Sequence, residues 1–294
     1  MLDLVALQQL WLSFGAEANI YDVDTSVEPL DDIVELVRQA GMSEADPAAF
    51  AEDGPLFEME QEPFLCTVFQ PSRAVRFVDT ARWLVDDGTA NMDTGDDDAI
   101  NAAVQQAGFL GLFGEDQFAP FRVTRLCVSA AESGQPPEDE RVVDLGVVLT
   151  RQLDGLSFVG QGGNVVMYLG PDLVPTGFER TARRISGVRE PVSGWRGLDD
   201  VLGELDTFWG PFFGGTYTVE DVRLGYLELG RLEEQDVIQP VYAIDLNLSG
   251  GGGGADDPTP DSARLVQHVT PAAVNGIGPL MPSPEPAEAL TREE

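Results

Sequence analysis

The stretch Arg141-Val-Val-Asp-Leu-Gly-Val-Val-Leu-Thr-Arg-Gln-Leu153, Asp154-Gly155, Leu156-Ser-Phe-Val159, Gly160-Gln-Gly-Gly163, Asn164-Val-Val-Met-Tyr-Leu169 decides the fold class. Runs of β-branched and aromatic residues are cut by Asp-Gly and Gly-rich breaks, the pattern of strands joined by tight turns. The reading extends outward. Gly170-Pro171-Asp172 turns the chain again, and Thr176 to Ile185 alternates, with Phe178, Arg180, Ala182 and Arg184 on one face. Upstream, Phe121 to Ser129 alternates before the polar stretch from Glu132 to Glu140. The whole predicts an antiparallel meander.

Three helical patterns punctuate the strands. Asp31 to Gly41 carries Ile33, Val34, Leu36 and Val37 on one face, with Gly41 as a stop. Asp96 to Phe109 opens with Asp96, Asp97 and Asp98 at its positive end, with Thr94 or Asp96 as the cap. Its inward face is Ala99, Ile100, Ala103, Val104 and Ala107. Leu198 to Phe208 places Leu198, Val201, Leu202, Leu205 and Phe208 at helical spacing. Strand patterns follow at Phe64–Phe69 and Ala74–Val85, and Tyr217–Leu229 with Val237–Leu248 reads as a long hairpin. Gly250 to Gly254 reads as a linker, and Ala263 to Val269 as a returning edge strand. The expected class is α+β: mainly antiparallel sheets, each packed by a helix, in helix-plus-sheet units. The expected division is an N-terminal α+β unit over 1–115, sheet units with a third helix over 116–270, and a disordered tail over 271–294.

Composition bounds the partners. The chain has no lysine; its 17 basic residues are all arginine, against 51 Asp and Glu, for a formal charge of −34. Nucleic acids and anionic membranes would repel it. A carboxylate-dense surface without lysine suits a high-salt interior, where screening shortens the self-repulsion. No apolar run is long enough to cross a bilayer. The N-terminus carries Asp3 where an export signal needs basic residues, so the chain reads as cytoplasmic or as part of a longer exported protein. Cys66 and Cys127 sit in apolar runs and read as buried thiols, with a disulfide between them left open.

The stretch Val147–Gly170, continuing to Gly177-Phe-Glu-Arg180, resembles the PepSY and protease-propeptide domains, in which a strand ends in an Asp-Gly turn and a Gly-rich hairpin follows. Val222-Arg-Leu-Gly-Tyr-Leu-Glu-Leu-Gly230 with Val237-Ile-Gln-Pro-Val-Tyr-Ala-Ile244 is similar to a further hairpin of such domains. The resemblance covers about residues 120–248. It implies a cystatin-like helix-on-sheet fold and a domain that binds or restrains a partner, often a peptidase. The chain departs from the pattern in having no recognisable export signal and no attached peptidase.

Most catalytic chemistry lacks its residues. His268 is the single histidine and reads as a surface or edge-strand residue, so a Ser-His or Cys-His mechanism has no other base to draw on. Without lysine, Schiff-base chemistry and a P-loop are excluded. Asp93-Thr94-Gly95 matches an aspartic-protease tripeptide, but three acids follow it directly and helix capping accounts for it better. Gly160–Gly163 lies between strands rather than before a helix and reads as a hairpin turn, not a phosphate cradle. Acid clusters arise by composition in so acidic a chain. If one holds Ca²⁺, it is the loop carrying Asp86, Asp93, Asp96 and Asp98.

Two features point to docking. Arg180, Arg183 and Arg184, with Arg189 and Arg196 nearby, concentrate positive charge that would suit a carboxylate or an acidic peptide; internal ion pairing is the plainer alternative. Trp209, Phe212 and Phe213 lie at a loop-like Pro211-Phe-Phe-Gly-Gly215 and could form an exposed apolar patch. The expected function is a non-enzymatic binding or regulatory module for a protein or peptide partner. The alternatives are a structural acidic protein of a salt-adapted cell and a carboxylate-based hydrolase with paired buried acids.

Overall fold

The computed structural model describes residues 17–25, 30–82, 92–129, 141–213, 217–248, 264–278 and 280; within α3 and at a few strand ends only the backbone is described. The strands are β1 (Asn19–Val23), β2 (Ala51–Asp53), β3 (Leu56–Gln61), β4 (Phe64–Phe69), β5 (Ala74–Asp79), β6 (Gln117–Val128) and β7 (Arg141–Leu153). They continue as β8 (Leu156–Val159), β9 (Asn164–Leu169), β10 (Pro175–Arg180), β11 (Ile185–Pro191), β12 (Tyr217–Leu227), β13 (Val237–Leu248) and β14 (Arg264–Pro271). The helices are α1 (Asp31–Gln39), α2 (Asp96–Phe109) and α3 (Leu198–Phe213).

These strands form one sheet of 14, in the order β11-β1-β13-β12-β8-β7-β9-β10-β5-β4-β3-β2, with β14 beside β13 and β6 beside β7. This corrects the expected class. The molecule is a single sheet-dominated fold, not a set of separate α+β units each packed by its own helix. Strand periodicity shows which face of a strand is buried and not which strand lies beside it, so the continuity of the sheet could not be read from the pattern. Pairing also crosses the position between 115 and 116, since β5 lies beside β10.

The decisive joint is a short parallel pair, Tyr226↔Phe158 and Leu227↔Val159, between β12 and β8; every other pairing is antiparallel. Glycine makes this seam. A Cβ on Gly225 would sit 2.4 Å from the Ser157 carbonyl, and one on Gly162 would sit 2.4 Å from that of Leu229. Gly160–Gly163 is therefore not a plain hairpin turn. β8 and β9 both pair with β7, and the glycines carry the chain past β12 from one to the other.

One core lies between α1, α2 and strands β3, β4, β5, β7, β9 and β10, a second between α3 and the β12–β14 meander, and a third at the seam around Tyr21, Phe158, Tyr226 and Ile238. The face α2 buries is Ala99, Ala103 and Ala107, small enough for close approach to the sheet, while Val104 points outward. Its N-cap is Gly95 with no side-chain capping bond; Asp96 instead pairs with Arg125. α3 runs five residues past its expected end at Phe208. Cys66 is buried and Cys127 exposed, and both are free. His268 lies in β14 at 2% exposure, so it is a core residue rather than the surface one expected. The expected linker at Gly250–Gly254 and residues 281–294 of the expected tail lie outside the described residues, while Ala272 and Ala273 are buried.

Candidate functional site

The alternating run from Thr176 to Ile185 was expected to be one strand. It is two. β10 pairs with β9 and β5 in one half of the sheet, and β11 pairs with β1 in the other. Between them Thr181–Arg184 crosses the seam, held by Gly163 N–H to the Thr181 carbonyl at 2.8 Å and Asp24 N–H to the Arg184 carbonyl at 2.8 Å. The crossing brings Arg180 and Arg184 to the lining of a cleft of about 640 Å³, which Arg73 and Arg151 also line. Ile33 and Leu36 of α1 supply an apolar side, and Asp24, Asp32, Glu115 and Asp116 complete the lining. A smaller cleft of about 470 Å³ adjoins it through Asp24, Ser72 and Arg73 and reaches Arg183.

Under the cleft lies a buried ion network. Glu228, just past β12 and fully buried, accepts the Arg183 backbone N–H at 2.8 Å on Oε1. The Arg183 guanidinium lies 3.4 Å from that oxygen, and the Arg151 guanidinium 3.8 Å from Oε2. Arg151 also donates to the Arg183 carbonyl at 2.9 Å and to Asp116 at 2.6 Å. Burial pushes the Glu228 carboxyl up to about 7, with the arginines and the backbone N–H pulling it back. Burial likewise lowers Arg183 and Arg180 from the usual guanidinium range. Such a network sets geometry more than it adds stability, because removing charges from water costs about as much as their attraction returns.

The expected site residues divide accordingly. Arg183 is 3% exposed, and its guanidinium donates to the carbonyls of Leu229 and Gly230; it staples the β12–β13 connection from inside. Arg180 is half-buried, its Nε donating to the Leu112 carbonyl at 2.9 Å. Arg184 is the outward one, 68% exposed and 3.9 Å from Asp24. Arg73 and Arg151 were not singled out. A signal existed for Arg151, a lone charge in the run Val147-Val-Leu-Thr-Arg-Gln152, but nothing in the sequence brings Arg73 to it. Trp209 is buried, edge-on to Phe208 and close to the His268 ring, so it belongs to the α3 core and not to an exposed patch. The backbones of Phe212 and Phe213 fall within α3, and their side chains lie outside the described residues.

The calcium candidates scatter. Asp93 and Asp98 line one open pocket with Asp172, Asp96 turns to Arg125, and Asp86 lies outside the described residues. Among the described residues no group of three or more His, Cys, Asp or Glu is placed to hold a metal ion. No helix among them is long and apolar enough to cross a membrane.

No family model matches the sequence, and no curated protein matches it. Among solved structures, the chain is similar to an uncharacterized protein from Eubacterium rectale ATCC 33656, with a TM-score of 0.51 and 9% identity over 90% of this chain and 86% of that one. At that identity the likeness concerns the fold alone.

Proposed function

We propose that this chain is a non-enzymatic binding module whose cleft takes a carboxylate-bearing segment of a protein partner. The observation that carries the reading is that Arg73, Arg180 and Arg184 line one cleft in a chain of net charge −34, with the buried Arg151 behind them. A guanidinium fork matches a carboxylate in shape and charge. The four arginines balance the four acids lining the cleft, so a carboxylate meets less repulsion there than on the acidic surface around it. A partner-restraining role with a peptidase partner rests on the sequence resemblance alone, since the single 14-stranded sheet is not the cystatin-like fold that resemblance implies. Binding is favoured over carboxylate hydrolysis because the two carboxyls pushed up by burial, Asp144 and Glu228, are sealed at 4% and 0% exposure, and neither lines the cleft.

The test is fluorescence anisotropy with a dye-labelled oligoglutamate and its oligoglutamine counterpart, at about 0.15 M and about 1 M KCl. The acidic peptide is expected to bind and the neutral one not, and Arg184→Gln with Arg73→Gln to weaken binding by about tenfold. Equal response to both peptides, or binding indifferent to both substitutions, would sink the proposal.

A further inference from the structure

A second pocket, of about 290 Å³, lies on the helix side of the sheet where the C-terminal ends of α1 and α2 meet. Its floor is apolar. Phe64, Phe77 and Phe178 stand side by side across β4, β5 and β10, with ring centroids 5.5 and 5.4 Å apart, and Met167 adjoins them. The mouth has a consistent polarity. The ends of both helices contribute Ala40 and Leu110 to the lining, although the carbonyls of Leu36, Val37 and Arg38 and of Gln106 to Phe109 are already hydrogen-bonded. Asp79 adds a carboxylate in a residue only 9% exposed, its Oδ1 accepting the Ala81 backbone N–H at 3.1 Å and its Oδ2 facing Arg82. Thr176 also lines the pocket, but its hydroxyl already donates to Asp144 at 3.0 Å, which leaves its oxygen an acceptor. Gln39 donates its amide to the Phe109 carbonyl at 2.7 Å, leaving its carbonyl oxygen free to accept. The mouth is thus biased towards acceptors, above a floor that suits an apolar body.

One cationic group among the described lining residues already answers that bias. Arg82, 60% exposed, reaches the pocket and holds its Nε 3.4 Å from Asp79. It stands where the charged head of a ligand would stand. We infer that this pocket binds a small amphiphilic amine, with its aromatic or aliphatic body on the Phe64–Phe77–Phe178 floor, its ammonium on Asp79, and Arg82 displaced. The size is at the small end of ligand pockets, room for one ring with a short arm.

The experiment titrates the intact chain, its methionine methyls labelled with carbon-13, with 2-phenylethylammonium, neutral 2-phenylethanol and anionic 3-phenylpropionate at equal ionic strength. Calorimetry reads affinity, and the Met167 methyl resonance reads location. The ammonium compound is expected to bind at least about tenfold more tightly than the anion and to shift Met167. Asp79→Asn is expected to erase that preference. Arg82→Gln, a change at an exposed side chain, is expected to tighten ammonium binding by removing its competitor. Equal affinity for all three compounds would reduce the site to an apolar crevice and overturn the inference. So would binding that leaves Met167 unmoved, or no ammonium binding to the Arg82→Gln variant.

Discussion

The Arg183 backbone N–H and guanidinium both face the same oxygen of Glu228, at 2.8 and 3.4 Å, at the point where the chain crosses from one half of the sheet to the other. Arg183 is 3% exposed and Glu228 not at all. Removing the arginine side chain leaves the carboxylate, which has no access to water, to the more distant Arg151, at 3.8 Å, and to backbone N–H donors. Arg183→Gln is therefore expected to raise the Glu228 pKa further, so the charge-dependent loss of stability grows by about 1.4 kcal/mol for each pH unit above about 7 until the variant's carboxyl ionises. That charge-dependent part of the loss should be close to zero below about pH 7, where the carboxyl is protonated in both proteins. Urea unfolding of both proteins across that range checks it; a loss independent of pH would mean that the guanidinium's bonds to carbonyls, not its charge pairing, dominate.

Asp144 makes a second, separable prediction. It lies in β7 at 4% exposure, its carboxylate accepts from the Thr176 hydroxyl, and burial pushes it up to about 6. A carboxyl whose folded pKa lies above its unfolded value favours the fold while protonated, and that contribution is lost as the pH rises through about 6. Asp144→Asn keeps an acceptor for Thr176 and carries no charge. It should raise stability by up to about 3 kcal/mol at about pH 7.5 and by almost nothing near pH 4. Equal gain at both values would point to packing instead.

His268 slopes the other way. Burial lowers its imidazole below the ordinary range, against the upward pull of Glu204, whose Oε1 lies 3.5 Å from Nε2, while Arg196 adds to the lowering. Phe208 and Trp209 of α3 pack on the ring. A folded histidine with a lowered pKa stabilises the fold above its unfolded value, about 6.5, and that contribution is lost as the pH falls below it. His268→Leu should flatten the decline in melting temperature between about pH 6.5 and pH 5. Thermal unfolding followed in that interval would refute this account if the variant kept the native slope.

The β8–β12 seam depends on missing side chains. Gly225→Ala would drive a methyl to 2.4 Å from the Ser157 carbonyl and 2.8 Å from the Val159 side chain; Ser157 is held by its pairing with Gln152 of β7 and Val159 by the parallel pair. The expected cost is about 3 kcal/mol. Gly187→Ala in β11, with nothing within 4 Å of the added carbon, is the matched control and should cost far less. Hydrogen exchange at Tyr226 and Leu227 would show whether the seam itself opens; unchanged protection there would place the damage elsewhere.

Much of the local structure was legible. The helix starts at Asp31, Asp96 and Leu198 followed from apolar periodicity, and the strands Phe64–Phe69 and Val237–Leu248 from β-branched and aromatic runs. Misreadings fell where local pattern and tertiary demand diverge. Thr176 to Ile185 alternates without interruption, yet breaks at Thr181 because its two ends pair in different halves of the sheet. His268 looked peripheral beyond a Gly-rich segment, yet β14 returns it beneath α3. Trp209 looked like a loop aromatic because Pro211 and the glycines follow it, yet α3 continues through Phe213, with Trp209 on its buried side.

The sequence by itself determined the charge, the absence of lysine and the chemistry this rules out, along with the alternation that makes most of the chain strand. These are properties of residue type and of spacing along one strand or helix, and need no knowledge of neighbours. Tertiary structure decided that fourteen strands make one sheet, that a two-residue parallel pair joins its halves, and that Arg73 and Arg151 meet Arg180 and Arg184. Those outcomes depend on which strand edges meet. Backbone hydrogen bonds are the same at every edge, so the choice rests on distant side chains and on glycines that let two backbones come close.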